Sequence, residues 1–320
     1  MELPLVVGVD GSEFALRAVD WATREAARHA LPLRLVHATL WQRYEQQDRP
    51  PVLRRRTGGS RPAAPRARGE RAGDGAIGPS ERTADERTAD AQEAVERAAA
   101  RATRCDPSVR LDTEVVCEEA ERALLHEARN ATALIVGHRG CGVVPGMLLG
   151  TVALTLAGRA PCPVVVVRGS ARNRAGTHHR VLLAAGSADS CPAAVRFAFR
   201  EAALRDGELL ALRAWRCPAS QTAGLLRWPE DLARQHEQRA VRLLDEVLRP
   251  AERAYPQTDV VRSVVEGNAH EVLLARSREA DLLVTGARRE RRHLGAQLGR
   301  VAHTMLHHAD CPVAVVPHRA

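Results

Sequence analysis

The sequence predicts an α/β protein built from two tandem copies of one domain, each a parallel sheet with helices on both faces. Three observations lead there. Apolar strand-like runs alternate with helical patterns, the signature of strand–helix–strand units with right-handed crossovers. The strand runs are short, β-branched and free of polar alternation, as strands buried on both faces are; Leu5–Val9, Ala133–Val136 and Val164–Val167 are examples. Finally, the chain repeats itself. Ala133–Gly137 recurs as Leu282–Gly286 and Ala160–Val167 as Ala309–Val316, both 149 residues further on. Upstream, Leu5–Val9 recurs as Val181–Ala185 and Trp21–Glu25 as Phe197–Glu201, at an offset of 176 residues. The two offsets differ by 27 residues, which marks an insertion in the first copy.

In chain order, the first copy reads as strand Leu5–Val9, helix Glu13–Ala30, strand Leu33–Thr39, a loop, helix Glu81–Arg104 and strand Leu111–Val116. Helix Ala120–Asn130, strand Ala133–Val136, a glycine loop, helix Thr151–Arg159 and strand Val164–Val167 complete it. Ser12 or Asp10 stands where the first helix needs a cap. The insertion falls in residues 45–80, rich in Arg, Pro and Gly, a composition that cannot bury enough surface to fold and is expected to be disordered. Residues 169–178 are polar, hold Gly169 and Gly176 and lack apolar period, so they read as a linker. The domains are therefore residues 1–168 and 179–320.

Composition excludes several functions. All 47 basic residues are arginine. With no lysine, neither a P-loop ATPase nor a kinase of ordinary design is available, and Schiff-base chemistry is closed. The net charge of +8 suggests nucleic acid, but residues 49–72 alone hold eight arginines against Glu70, leaving the remaining chain almost neutral. That stretch lacks the aromatic residues of a single-strand platform, so a nucleic-acid partner is not expected. The seven cysteines form no C-x2-C pair, which fits a reducing compartment. Met1-Glu2-Leu3-Pro4 lacks a basic leader pattern and no apolar run spans a bilayer, so a cytoplasmic protein without a membrane partner is expected.

The candidate site is a loop. Gly137-His138-Arg139-Gly140, nine residues, then Gly150-Thr151 leave the carboxyl end of one strand and enter a helix. Glycine lets backbone N–H groups approach an anion without a Cβ in the way. A helix N-terminus offers unpaired donors and partial positive charge. Val7-Gly8-Val9-Asp10-Gly11-Ser12 ends the first strand, which puts Asp10 at the sheet edge where open parallel sheets bind ligands.

These two motifs, in this order, resemble the universal stress protein family in its tandem form, and the resemblance covers nearly the whole chain. It implies flavodoxin/Rossmann-like domains with five-stranded parallel sheets of order 3-2-1-4-5, related by a pseudo-twofold at which the last strands pair. It also implies the ATP-binding branch of the family. Asp10 then faces ribose and adenine, Gly8 and Val9 line the nucleoside pocket, and the Ala38 backbone meets the adenine. The phosphates lie on the loop Gly137, His138, Arg139, Gly140, Cys141, Gly142, Val143 and on the helix start Gly150, Thr151, Val152, with Arg139 adding charge. A Mg or Mn ion accompanies the phosphates, with no ligands identified and no metal-site residue assigned. The resemblance further implies stress response, a homodimer and an unknown protein partner. The nucleotide acts as a conformational ligand, and no catalytic residue is assigned. Two rivals stand beside this reading: a slow ATPase or autophosphorylating enzyme, for which His138 is the one loop candidate, and a member that serves assembly without nucleotide.

The second copy keeps the fold pattern but not the motif. Gly186 replaces Asp10, Arg289 replaces Gly140 and Arg300 replaces Thr151, so one nucleotide per chain is expected. Arg289, Arg292 and Arg300 either form a solvated basic loop or grip some other anion. Glu118 stands where the second copy has Gly267 before its third helix. His303, His307 and Cys311 recur every fourth residue, but Pro312 takes Cys311 off the helix face, so a metal site is not expected there. Cys141, inside the glycine loop, reads as a tolerated small residue or as an activated thiol.

Overall fold

A computed structural model describes residues 2–39, 84–141, 148–186, 192–216, 230–287 and 298–318. The arginine-rich insertion, Gly142, Val143, Arg289 and Arg292 lie outside these residues. The first half contributes strands β1 (Leu5–Gly8), β2 (Leu33–Ala38), β3 (Leu111–Val116), β4 (Ala133–Gly137) and β5 (Val164–Val167). Its helices are α1 (Glu13–His29), α2 (Ala84–Cys105), α3 (Ala120–Glu127) and α4 (Thr151–Arg159). The short α5 (Ala171–Ala175) joins the halves. The second half contributes β6 (Arg180–Ala184), β7 (Glu208–Trp215), β8 (Val260–Glu266), β9 (Leu282–Ala287) and β10 (Val313–Pro317). Its helices are α6 (Pro192–Leu204), α7 (Glu230–Ala254), α8 (Ala269–Ser277) and α9 (Arg300–His308).

All ten strands join one sheet of order β3-β2-β1-β4-β5-β10-β9-β6-β7-β8. Each half has the expected order 3-2-1-4-5. Every pairing is parallel except the central one, where β5 and β10 run antiparallel with Val166 opposite Val313 and Val164 opposite Val315. The expected pairing of the two last strands thus holds. Successive strand residues point to opposite faces, and both faces are buried. Leu5, Val7, Leu35 and Ile135 pack under α1, α2, α6 and α7. Val6, Leu134, Val136 and Val164 pack under α3, α4, α8 and α9.

Several element limits differ from the sequence reading, and three differences have a structural cause. Helix α1 ends at His29 because Ala30 takes a left-handed conformation (φ 53°) and its N–H bonds back to Ala26 and Ala27. An alanine gives no warning of a turn that glycine usually makes. The third helix is α-helical only to Glu127 and closes in a 3₁₀ turn, Ala128–Asn130. The connector is not featureless either. Ser170 caps α5 by accepting from the Asn173 N–H at 3.2 Å. Buried Asn173 donates through Nδ2 to the carbonyls of Ser277 (3.2 Å), Arg278 (3.0 Å) and Ala280 (2.7 Å). Five residues are too few to show an apolar period, so this order was hidden.

Gly169 makes the connector's approach possible. Its φ is +81°, and a Cβ there would lie 2.0 Å from the Asp310 carbonyl oxygen. Gly169→Ala is therefore expected to destabilise the chain by about 2–4 kcal/mol, combining left-handed strain with overpacking. Urea denaturation measures this, and a loss below about 0.5 kcal/mol contradicts the packing described.

A buried charged quartet sits where α1 meets α6 across the pseudo-twofold. The 176-residue offset carries Glu25 onto Glu201 and His29 onto Arg205. Arg205 holds Glu25 Oε2 at 2.8 Å through Nη2 and pairs with Glu201 through Nη1. His29 Nε2 lies 3.1 Å from Glu201 Oε1. All four side chains are at most 5% exposed. Burial pushes the Glu25 carboxyl up, against the pull of Arg205. Burial acts on Glu201 in the same direction, but Arg205 and His29 outweigh it and hold that carboxyl down at about 2.

Candidate functional site

The strand order brings β1 and β4 side by side, so the loops leaving their carboxyl ends face each other. After β1, the Val9 N–H still donates to the Val36 carbonyl at 2.9 Å. Gly11 then turns the chain with φ +80°. Ser12 rather than Asp10 caps α1, accepting from the Ala15 N–H at 3.1 Å. Asp10 is thereby left to face the loop after β4. Its Oδ1 accepts from the Ser12 N–H at 3.0 Å and its Oδ2 from the Cys141 N–H at 2.9 Å.

A cavity of about 380 Å3 opens at this edge. Gly8, Val9, Asp10 and Ala38 line one side, and Gly137, Arg139, Gly140 and Cys141 the other. Gly150, Thr151 and Val152 close it at the start of α4. Val36, Leu124, Val136 and Ala153 add an apolar floor that the sequence reading did not assign to the site. Their apolar strand and helix positions gave no sign that one side of each was open to a cavity.

The glycines serve different purposes. A Cβ on Gly137 would lie 2.7 Å from the backbone of Phe14, so the missing side chain here makes room for helix α1. A Cβ on Gly140 would lie 2.4 Å from Asp10 Oδ2, so this one makes room for the carboxylate. The Gly150 N–H donates to the His138 carbonyl at 2.9 Å and is already used. Gly150 provides no side-chain cap to α4. The first-turn amides of Thr151 and Val152 therefore have no intrahelical acceptor and point toward the cavity end.

His138 is the described site residue that does not line the cavity. Its Nδ1 lies 3.2 Å from the Val167 carbonyl oxygen, and its ring meets Phe14 edge-on at 4.6 Å. Burial, with Arg168, Arg139 and Arg17 nearby, lowers its pKa to about 4. The folded state thus resists protonation of a ring that the unfolded chain protonates near 6.5. That stabilisation is complete above about pH 6.5 and is lost as pH falls toward 4. Thermal midpoints are expected to drop across this window, and a His138→Phe chain, which keeps an aromatic ring but no titration, to drop less. Equal slopes contradict the buried neutral ring. Glu201 contributes below this window and Glu25 with the opposite sign, so neither imitates the effect.

Arg139 lines the cavity, with its guanidinium 5.6 Å over the Phe14 ring and Arg17 at 5.5 Å over the same ring. Cys141 is exposed and its thiol donates to the Asp10 carbonyl at 3.1 Å. Burial and the Asp10 carboxylate raise its pKa, the reverse of an activated thiol.

The second half keeps an equivalent cavity, of about 460 Å3, although its motif is lost. Gly186 stands at the Asp10 position, Gly286 at Gly137, and Gly299-Arg300 at Gly150-Thr151. Among the described residues, one group of possible metal ligands comes together, Glu25, His29 and Glu201, within 4.8 Å of one another. Arg205 already stands there as the cation. His303 and His307 stack at 4.5 Å, while Cys311 is buried and its thiol pushed up by burial, so these three form no such group. No described helix is long and apolar enough to cross a membrane.

Comparison with known proteins places this architecture. The model of the universal stress protein family matches residues 3–168 and again 177–317. Universal stress protein Rv2623 of Mycobacterium tuberculosis is 31% identical over 322 residues, covering 98% of this chain and 96% of its own. A universal stress protein of Mycolicibacterium smegmatis is 29% identical over 319 residues, covering 98% and 97%. A crystal structure of a universal stress protein from Archaeoglobus fulgidus superposes with a TM-score of 0.65 at 14% identity, covering 99% of this chain and 98% of that one.

Proposed function

The chain belongs to the universal stress protein family, in tandem form, and from that premise we propose that the cavity of its first half binds ATP as a conformational ligand. The observation that carries this reading is the meeting of Asp10 with the glycine loop across β1 and β4, beside the uncapped start of α4. Loop amides from Gly137 to Val143 and the first turn of α4 receive the phosphates. Gly8, Val9 and the Ala38 backbone hold the nucleoside, whose hydroxyls Asp10 reads. A Mg or Mn ion travels with the phosphates, whose negative charge is what calls for it; no described carboxylate other than Asp10 lines the cavity.

The Asp10 carboxylate accepts from the Cys141 N–H. A phosphate arriving there replaces one anion by another and frees the carboxylate to turn to the ribose. Nucleotide binding thus moves the loop and the α1 start together, and a protein partner reads that change. Hydrolysis needs a water-activating base, and the one candidate, His138, is turned onto Phe14 and Val167. The chain works in the cytoplasm and as a homodimer, which light scattering at twice 34.8 kDa would show.

Calorimetric titration of the full chain with ATP, ADP and AMP tests the reading. One equivalent per chain is expected. No heat of binding from any of the three at millimolar concentration leaves only the assembly role, without nucleotide.

A further inference from the structure

We propose that the cavity of the second half binds a small organic anion with an apolar body, not a nucleotide. It is the counterpart of the first-half cavity with the acid lost and cations gained. The first is lined by Asp10 and Arg139. The second is lined by Arg213, Arg300 and His318, with no described carboxylate in its wall.

Arg213 carries most of the argument. By the 176-residue offset it stands at the position of His37, on the strand next to the missing acid. Its Nη1 donates to the carbonyl of Gly186, the residue that replaces Asp10, so a cation has moved to where the first half keeps an anion. No described carboxylate pairs with Arg213. Its Nε is buried without a hydrogen-bond partner. Burial, and Arg239 nearby, press against its charge. A half-buried guanidinium without a counterion is stabilised by an anion that enters beside it.

Two further observations fit that ligand. Helix α9 starts at the cavity with no side-chain cap, and among the described residues nothing lies within 4 Å of a Cβ built on Gly299. The inner wall is apolar, from Leu183, Leu212 and Leu273, and Thr285 brings a hydroxyl where the first half has Val136. A nucleoside finds no carboxylate for its hydroxyls here. A compact molecule with an apolar body and one carboxylate or phosphate finds both halves of its chemistry met.

Phenyl phosphate and benzoate serve as probes on the full chain, with benzyl alcohol as the neutral analogue, by calorimetry and ligand-observed NMR. At least one of the two anions is expected to bind at millimolar or lower concentration, and benzyl alcohol at least tenfold more weakly. Preference for phenyl phosphate identifies a phosphate monoester site, and preference for benzoate a carboxylate site. Arg213→Met is expected to weaken the preferred anion at least tenfold, and so is Gly186→Asp, which restores the first half's acid at a position where no described atom lies within 4 Å of a built Cβ. Gly140→Arg, in the other half, is expected to leave it unchanged. Because Gly186→Asp spares Arg213, a folding defect in the Met variant does not block the test. The inference is overturned by equal binding of benzyl alcohol, by the absence of anion binding, or by affinity that survives both second-half variants.

Discussion

Replacing Arg205 by alanine is expected to lower the stability of the chain by about 3–5 kcal/mol, the range for breaking a buried ion pair by removing one partner. Arg205 pairs with both Glu25 and Glu201, all of them at most 5% exposed. Without it, two carboxylates face each other in the interior beside His29, with Arg28 still pairing Glu25 at 2.6 Å. Both are buried from water, so losing Arg205 leaves much of their desolvation cost uncompensated. The variant should also respond to pH differently. In the wild type, Arg205 and His29 hold Glu201 at about 2 against burial, so its contribution is present above the usual carboxylate range and lost as pH falls toward 2. In Arg205→Ala the strongest opponent of burial is gone and only Arg28, on Glu25, and His29 remain, so the folded state takes up protons more readily than the unfolded chain. Its stability then rises on mild acidification and falls as pH returns to neutral. Urea denaturation between pH 4.5 and 7.5 reads both effects. A cost below about 1 kcal/mol, or a pH slope like that of the wild type, contradicts the quartet as the electrostatic centre of the interface.

Gly140→Arg is expected to raise the dissociation constant for ATP at least a hundredfold, about 2.7 kcal/mol, while the chain remains folded. The substitution copies position 289 of the second half. Any Cβ at position 140 falls 2.4 Å from Asp10 Oδ2, so the variant displaces the nucleoside-reading carboxylate as well as filling the loop. Both determinants of the proposed site fail together. Circular dichroism and the thermal midpoint separate lost binding from lost fold. Undiminished affinity in a folded variant would mean that nucleotide is held elsewhere.

Much of the architecture was legible because the sequence states it twice. The runs Leu5–Val9 and Val164–Val167 are apolar at every position, as strands covered on both faces must be, and their recurrence in the second half marked the tandem. What stayed hidden was the meaning of single residues. Aligning Glu25 with Glu201 shows that they are equivalent, but not that the fold brings their carboxylates within 4.8 Å of each other. Ala30 closes a helix in a conformation that its side chain does not advertise. At the site, sequence reasoning brought Asp10 and the glycine loop together correctly, since neighbouring strands follow from the strand order. It did not show that Gly137 is also needed to admit the Phe14 backbone, nor that the His138 ring turns out of the cavity onto Phe14 and Val167. Nothing in local spacing reveals which way a loop side chain faces. The persistence of a second cavity was equally illegible, because loss of a motif does not close the space between strands.

Photolabelling of the full chain with 8-azido-ATP, followed by peptide mapping, tests the central claim most directly. Label is expected on first-half peptides that carry the β1 end, the β2 end or the loop after β4, and excess ATP should suppress it. Label concentrated in residues 179–320, or label that ATP does not displace, would contradict a nucleotide site built on Asp10 and Gly140.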